Sequence, residues 1–126
     1  MKVLLDTHAF LWAITDDARM PPRVRKTIAA SDCFFSAASI WEVIVKVQAG
    51  KMSLPRPVGP FLVSELMSSG VQILPVTLEH VLRVESLHSH HRDPFDRILI
   101  AQSLVEDFPV VTSDPLFKKY PAGVTW

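Results

Sequence analysis

Short apolar runs separated by amphipathic stretches set the layout of the chain. Val3-Leu4-Leu5 is three apolar residues ending abruptly on Asp6, the pattern of a strand buried on both faces. His8-Ala9-Phe10-Leu11-Trp12-Ala13-Ile14 is apolar nearly all round and predicts a buried helix with Thr7 as its N-cap. Pro21-Pro22 opens a short surface helix over 23–30 with basic residues on one side. A second strand is expected over 32–36. Ser39 then begins a helix that Gly50 ends, and Glu42, three residues on, completes a capping box with it. The Pro-rich stretch 54–60 reads as a loop, too short to be a linker between domains. Residues 61–69 are amphipathic and stop at Gly70. A third strand follows over 71–76, then a helix capped by Thr77 and running to about residue 87. After a polar loop over 88–92, Asp93-Pro94 opens another helix as N-cap and first helical residue. A fourth strand over 110–112, a helical turn over 116–119 and a short strand over 124–126 close the pattern. No internal repeat or low-complexity tract interrupts it. Strands alternating with helices predict one α/β domain over 1–126, a central parallel sheet of four or five strands with helices on both faces.

In such sheets ligand chemistry gathers beyond the carboxyl ends of the strands, so the acids near those ends are the candidate chemistry. Asp6 and Asp114 each follow an expected strand. Glu42 lies less than two helical turns after the second strand, and Asp96 sits in the first turn of the helix leading to the fourth. Each has an ordinary structural use. Asp6 and Asp114 suit turns or caps, Glu42 suits the capping box and an i, i+4 pair with Lys46, and Asp96 suits the positive end of a helix dipole. Their shared placement at one sheet edge is what those uses do not account for. Four clustered carboxylates repel unless a cation sits among them, and oxygen-only donors suit Mg²⁺ or Mn²⁺. Thr7, Ser39 and Thr112 are candidates to support that cluster with hydroxyls, Arg97 to orient a carboxylate or meet a phosphate, and Asp93 to share the metal or, as the favoured reading, only to cap. His90 and His91, just before the acidic helix, are candidates to contact phosphate or act as an acid, with a solvated loop as the favoured reading. Trp12, Trp41 and Phe10 read as core, although aromatics at a groove also hold partner helices.

Composition narrows the class. Hydrophobic residues make up 48% and charged residues 21%, a globular rather than a disordered balance. The formal net charge is +0, so no global basic field draws in nucleic acid. Such a role must rest on a bound metal or on a local patch, for which Arg92, Lys118 and Lys119 are the candidates. The single Cys33 has no internal disulfide partner and sits in an apolar run, which fits a buried thiol in a reducing, cytoplasmic setting. No apolar run approaches the roughly 20 residues of a membrane span, and the N-terminus lacks the pattern of a signal peptide.

Leu4-Leu5-Asp6-Thr7-His8, Ser39-Ile40-Trp41-Glu42, Arg92-Asp93-Pro94-Phe95-Asp96-Arg97-Ile98-Leu99-Ile100-Ala101-Gln102 and Val111-Thr112-Ser113-Asp114 together resemble the PIN-domain family, most closely VapC-type toxins of bacterial toxin–antitoxin pairs. The resemblance covers essentially the whole chain. It implies a PIN-like (Rossmann-like) three-layer α/β/α fold and a ribonuclease dependent on Mg²⁺ or Mn²⁺, with Asp6, Glu42, Asp96 and Asp114 as its catalytic and metal-binding acids. It also implies an RNA substrate, a cognate antitoxin and a homodimer. Two other classes share features with the chain. A phosphotransferase or phosphatase of haloacid-dehalogenase type also begins with a strand ending in Asp but wants a second acid where His8 stands, and a receiver-like domain wants an acidic pair and a late Lys. A non-catalytic protein-binding module would use the same acids only as caps.

Overall fold

β1 (Lys2–Leu5) is the middle strand of a five-stranded, all-parallel sheet in the computed structural model, which describes residues 1–126. The chain continues through α1 (Thr7–Ile14), α2 (Pro22–Ala29), β2 (Asp32–Ser36), α3 (Ala37–Gln48), α4 (Val58–Ser69) and β3 (Gln72–Leu74). It then forms α5 (Leu78–Glu85), α6 (Pro94–Glu106), β4 (Val110–Val111), a 3₁₀ turn (Pro115–Lys119) and β5 (Val124–Thr125). The strand order is β3-β2-β1-β4-β5. Leu5 lies opposite Phe35 on one side and Val111 on the other. The chain builds outward from β1 in one direction, then crosses to the other side of β1 for β4. The point where the order reverses, between β1 and β4, is where open α/β sheets leave a crevice beyond their strand ends.

Side-chain alternation along the strands divides the core into two layers. Val3, Leu5, Phe35 and Val111 point into one apolar cluster with Phe10, Val24, Val43, Val47, Leu62 and Leu66, contributed by α1 to α4. Leu4 and Val110 point the other way, onto Leu99, Ile100, Ala101 and Phe117. The fold is therefore a three-layer α/β/α arrangement, and both faces of β1 are covered, as its unbroken apolar run requires. No helix is long and apolar enough to cross a membrane.

Several element starts differ from the sequence expectation, each for a local reason. Asp6, not Thr7, is the N-cap of α1, because its side chain accepts the Ala9 N–H at 2.7 Å. Ser36, not Ser39, caps α3 through the Ala38 N–H. No capping box forms there, and Glu42 falls in the second turn of the helix. α4 starts at Val58 rather than 61, because Pro60 lies in a first turn whose N–H groups have no helical partner in any case. Gly70 ends α4 in the left-handed conformation at φ 70°. Thr77 and Asp93 cap α5 and α6 as expected. Cys33 is buried, and burial pushes its thiol up from its ordinary value. Phe10 is core and Trp12 half-buried, but Trp41 is 62% exposed. α3 turns Glu42 and Val43 inward, and Trp41 beside them faces outward.

Candidate functional site

Four elements deliver carboxylates to the carboxyl edge of the sheet. Asp6 ends β1, and its backbone N–H donates to Val111 O on β4 at 3.1 Å. The same register sets Thr112 beside it, and the Thr112 hydroxyl donates to Asp6 Oδ2 at 2.5 Å. With Oδ1 held by Ala9 N–H, the Asp6 carboxylate is fixed at both oxygens and buried. Burial pushes its pKa up, the Thr112 and Ala9 hydrogen bonds draw it partly back, and Asp114 raises it further.

Glu42 is 3% exposed on the inner face of α3. Thr7, the first residue of α1, donates its hydroxyl to Glu42 Oε1 at 2.6 Å, and Lys46, one turn on, donates to Oε2 at 2.6 Å. Burial works against the Lys46 charge, but Glu42, Asp93 and Asp96 outweigh it and raise the ammonium pKa. Asp114 follows β4 and caps the 3₁₀ turn, Oδ1 accepting the Leu116 N–H at 2.9 Å. Asp96 occupies the first turn of α6, where Asp93 Oδ1 caps by accepting the Phe95 and Asp96 N–H groups.

His91 completes the cluster, against the solvated-loop reading favoured from the sequence. It is not solvated: it is 8% exposed, with Nε2 2.9 Å from Asp114 Oδ2 and 3.1 Å from Asp96 Oδ2. Donor atoms of His91, Asp96 and Asp114 lie within 4.8 Å of one another. Its neighbour His90 is exposed, as expected, with its ring against Tyr120. Nothing in the local spacing marks His91. It reaches Asp114 only because the 86–93 loop folds back over the 3₁₀ turn.

Asp96 differs from the other three acids. Asp6, Glu42 and Asp114 each accept a hydrogen bond at both oxygens, and the Asp96 carboxylate accepts none. Its pKa is pushed up to about 7, first by burial and then by Asp93, with Glu42 and Asp6 adding to the rise and His91 opposing it. A carboxylate that accepts no aligned hydrogen bond, with only His91 Nε2 nearby at 3.1 Å and like charges around it, is one that a cation would stabilise. Ser39 adds a second unmet group: its hydroxyl is buried without a hydrogen-bond partner one turn before Glu42. Carboxylate oxygens with a hydroxyl nearby form a hard donor set, which fits a divalent ion such as Mg²⁺ or Mn²⁺.

The remaining expectations divide. Thr7 and Thr112 support Glu42 and Asp6 as hydroxyl donors. Arg97 touches no carboxylate of the cluster. Its guanidinium donates to the His88, His91, Val84 and Leu87 carbonyls and so ties down the loop that carries His91. It stands one residue after Asp96, but the helix turns it to the far side. Arg92, Lys118 and Lys119 are exposed.

An apolar groove of about 470 Å³ is lined by Trp41, Val81, Pro94, Phe95 and Ile98 among others. Trp41 and Phe95 pack edge to face in its lining, ring centroids 5.1 Å apart. Each precedes an acid of the cluster, Glu42 and Asp96.

The sequence model of the PIN domain matches residues 3–123. No curated protein matches the chain in sequence. Among solved structures, the chain is similar to DNA-bound VapBC from Salmonella typhimurium, with a TM-score of 0.74 and 16% identity over 99% of this chain and 97% of that one. It is similar to VapBC2 from Rickettsia felis bound to a DNA fragment from their promoter, with a TM-score of 0.72 and 16% identity over 99% and 98%. It is also similar to a toxin–antitoxin complex from Klebsiella pneumoniae, with a TM-score of 0.63 and 18% identity over 98% and 96%.

Proposed function

The chain belongs to the PIN-domain family, and we propose that it is a metal-dependent ribonuclease acting as the toxin of a toxin–antitoxin pair. The observation that carries the reading is the convergence of Asp6, Glu42, Asp96 and Asp114 from four elements, three of them held by hydrogen bonds and Asp96 accepting none. Membership of this family also sets it apart from the haloacid-dehalogenase and receiver alternatives.

Asp6, Asp96 and Asp114 would hold the ion. Glu42, aimed by Thr7 and Lys46, joins them or orients and deprotonates the attacking water. A bound divalent ion supplies the field that acidifies a water and offsets charge on the phosphoryl group. The chain's own contribution is placement: Thr112, Ala9 N–H and Leu116 N–H fix the directions of Asp6 and Asp114. Asp93 caps α6 and so holds the backbone that presents Asp96. No Ser, Cys or Lys nucleophile is needed. With a net charge of +0, RNA is drawn to the exposed Arg92, Lys118 and Lys119 and to the ion itself. In excess Mg²⁺ or Mn²⁺ the purified chain is expected to cut RNA internally, and chelation by EDTA to stop it. Undiminished cleavage in excess chelator rules the metal mechanism out.

The similar Salmonella, Rickettsia and Klebsiella chains come from VapBC and toxin–antitoxin structures, which supports a cognate antitoxin here. The groove that Trp41 and Phe95 line suits an apolar segment of such a partner, and because these two residues directly precede Glu42 and Asp96 in the chain, a basic side chain on that segment, best an Arg, suits entry among the acids in place of the ion's charge. We place the protein in the cytoplasm as a single-domain chain that pairs with a second copy. Production of this chain alone is expected to arrest growth of its host, and Asp6→Asn to relieve the arrest. Normal growth at confirmed soluble expression of the unmutated chain counts against the toxin assignment.

A further inference from the structure

His91 is the one imidazole in contact with the acids, between Asp96 and Asp114. Its ring is fixed on every side. The backbone N–H of His91 donates to Tyr120 Oη at 2.8 Å, its carbonyl accepts from Arg97 at 3.1 Å, and its ring stands edge-on to Phe117 at 5.8 Å. Nδ1 accepts the backbone N–H of Asp93 at 3.2 Å. A proton on Nδ1 would face that N–H, so the network places the ring proton on Nε2, where it points to Asp114 Oδ2 at 2.9 Å.

This tautomer bears on metal binding. A histidine that ligates through Nε2 needs that lone pair free, with its proton on Nδ1 and an acceptor opposite. Here the group opposite Nδ1 is a donor, part of the backbone leading into the α6 cap. The other acids show what a donor at this place does. Thr112 holds Asp6, Thr7 holds Glu42, and Nε2–H of His91 stands in the same relation to Asp114. Ligating carboxylates are oriented by such outer hydrogen bonds.

We propose that His91 is a positioning residue of the acidic site: its Nε2–H holds Asp114 beside Asp96, and it does not ligate the ion. The inference rests on the metal-binding reading above. The ion is then met by oxygen donors alone, although an imidazole nitrogen lies 3.1 Å from Asp96.

The test uses the full chain and Mn²⁺ or Mg²⁺ as the probe. Long-range ¹H–¹⁵N spectra of the ¹⁵N-histidine-labelled protein should show His91 protonated at Nε2 and bare at Nδ1, both without metal and in saturating Mg²⁺. Pulsed electron paramagnetic resonance of the Mn²⁺-loaded chain should show no directly bonded ¹⁴N. His91→Leu should weaken Mn²⁺ binding by about ten- to a hundredfold, the usual cost of losing an outer hydrogen bond to a ligand. His91→Gln, whose amide N–H reaches the region of Nε2, should recover most of that loss. A directly coupled nitrogen, or a proton that moves to Nδ1 when Mg²⁺ binds, overturns the inference and leaves the metal reading intact. Equal Mn²⁺ affinity in parent and His91→Leu also overturns it. A parent chain that binds no Mn²⁺ removes the metal reading, and this role of His91 with it. If His91→Leu does not fold, the nitrogen coupling and ring-proton position in the parent decide.

Discussion

Asp96→Asn and Asp6→Asn each lower the rate of RNA cleavage in saturating Mn²⁺ by at least about a hundredfold, more than the loss of an outer-sphere partner costs, and each variant keeps the fold. The two losses have different origins. At Asp6 the carboxylate is held at both oxygens by Thr112 and the Ala9 N–H. Asparagine retains its oxygen acceptor for the cap but presents an NH₂ to a hydroxyl that was donating. The Thr112 hydroxyl must then turn, and the charge at the end of β1 is gone. At Asp96 no hydrogen bond is lost, because none is made there. Only the charge is removed, and the fall in activity reads the demand for an anion directly. Asp93→Asn is the internal control. Asn caps a helix about as well as Asp, and the Phe95 and Asp96 N–H groups keep their acceptor. Asp93 also raises the Asp96 pKa, so removing its charge lets Asp96 ionise more readily. Single-turnover cleavage rates of the three variants, with circular dichroism to confirm the fold, check the ordering. A loss in Asp93→Asn equal to that in Asp96→Asn would move Asp93 from cap to ligand.

The sheet and the positions of the four acids are legible in the sequence because both rest on local patterns. An apolar run ending on Asp6, and another ending shortly before Asp114, specify strands whose ends must carry those acids. Parallel pairing then puts both on one edge. Helix starts are less legible. Ser36 and Ser39 are both good caps by type, and only the point where β2 leaves the sheet favours Ser36. The true support of Glu42 is hidden for another reason. Thr7 lies 35 residues away, and no spacing rule joins α1 to α3. His91 shows the same limit more sharply: a His in a polar loop is ordinarily solvated, and its burial depends on Tyr120, Phe117 and Arg97, which pin that loop from α6 and the 3₁₀ turn. Arg97 misleads in the opposite sense, since adjacency to Asp96 in sequence puts it on another helix face. Trp41 suits a core by residue type, yet its neighbours Glu42 and Val43 are the inward positions.

Crowding of the acids also costs stability, in a way that depends on pH. In the folded chain the Asp96 pKa stands at about 7, above the ordinary carboxylate value near 4. The folded state therefore holds a proton that the unfolded state has released between those two values. Stability from this group is fully present below pH of about 4, falls as pH rises towards 7, and is level beyond. Above pH 7 the metal-free fold carries the full penalty of an ionised, half-buried carboxylate among like charges. Asp96→Asn removes the charge and keeps the shape. It gives up a favourable helix-dipole contact of about 0.3–1 kcal/mol at the start of α6, and the relieved repulsion and desolvation, on the order of 2 kcal/mol, exceed that. In chelator at pH 8 the variant should melt higher than the parent by about 5 °C, at roughly 3–5 °C per kcal/mol for a chain of this size. At pH 4 the gap should close, because Asp96 is then protonated in the folded parent, which carries neither the repulsion nor the charge–dipole contact, and is only about half ionised in the unfolded one. Millimolar Mn²⁺ should reverse the order at pH 8: an ion that binds only the folded state at a hundred times its dissociation constant adds about 2.7 kcal/mol, and only the parent has the full set of acids to bind it. Melting curves of both proteins at the two pH values, with chelator and with metal, give all these differences in one series. A parent that melts at the same temperature with and without Mn²⁺, and above Asp96→Asn in chelator at pH 8, would show that Asp96 stabilises α6 by its charge and that no ion is held there.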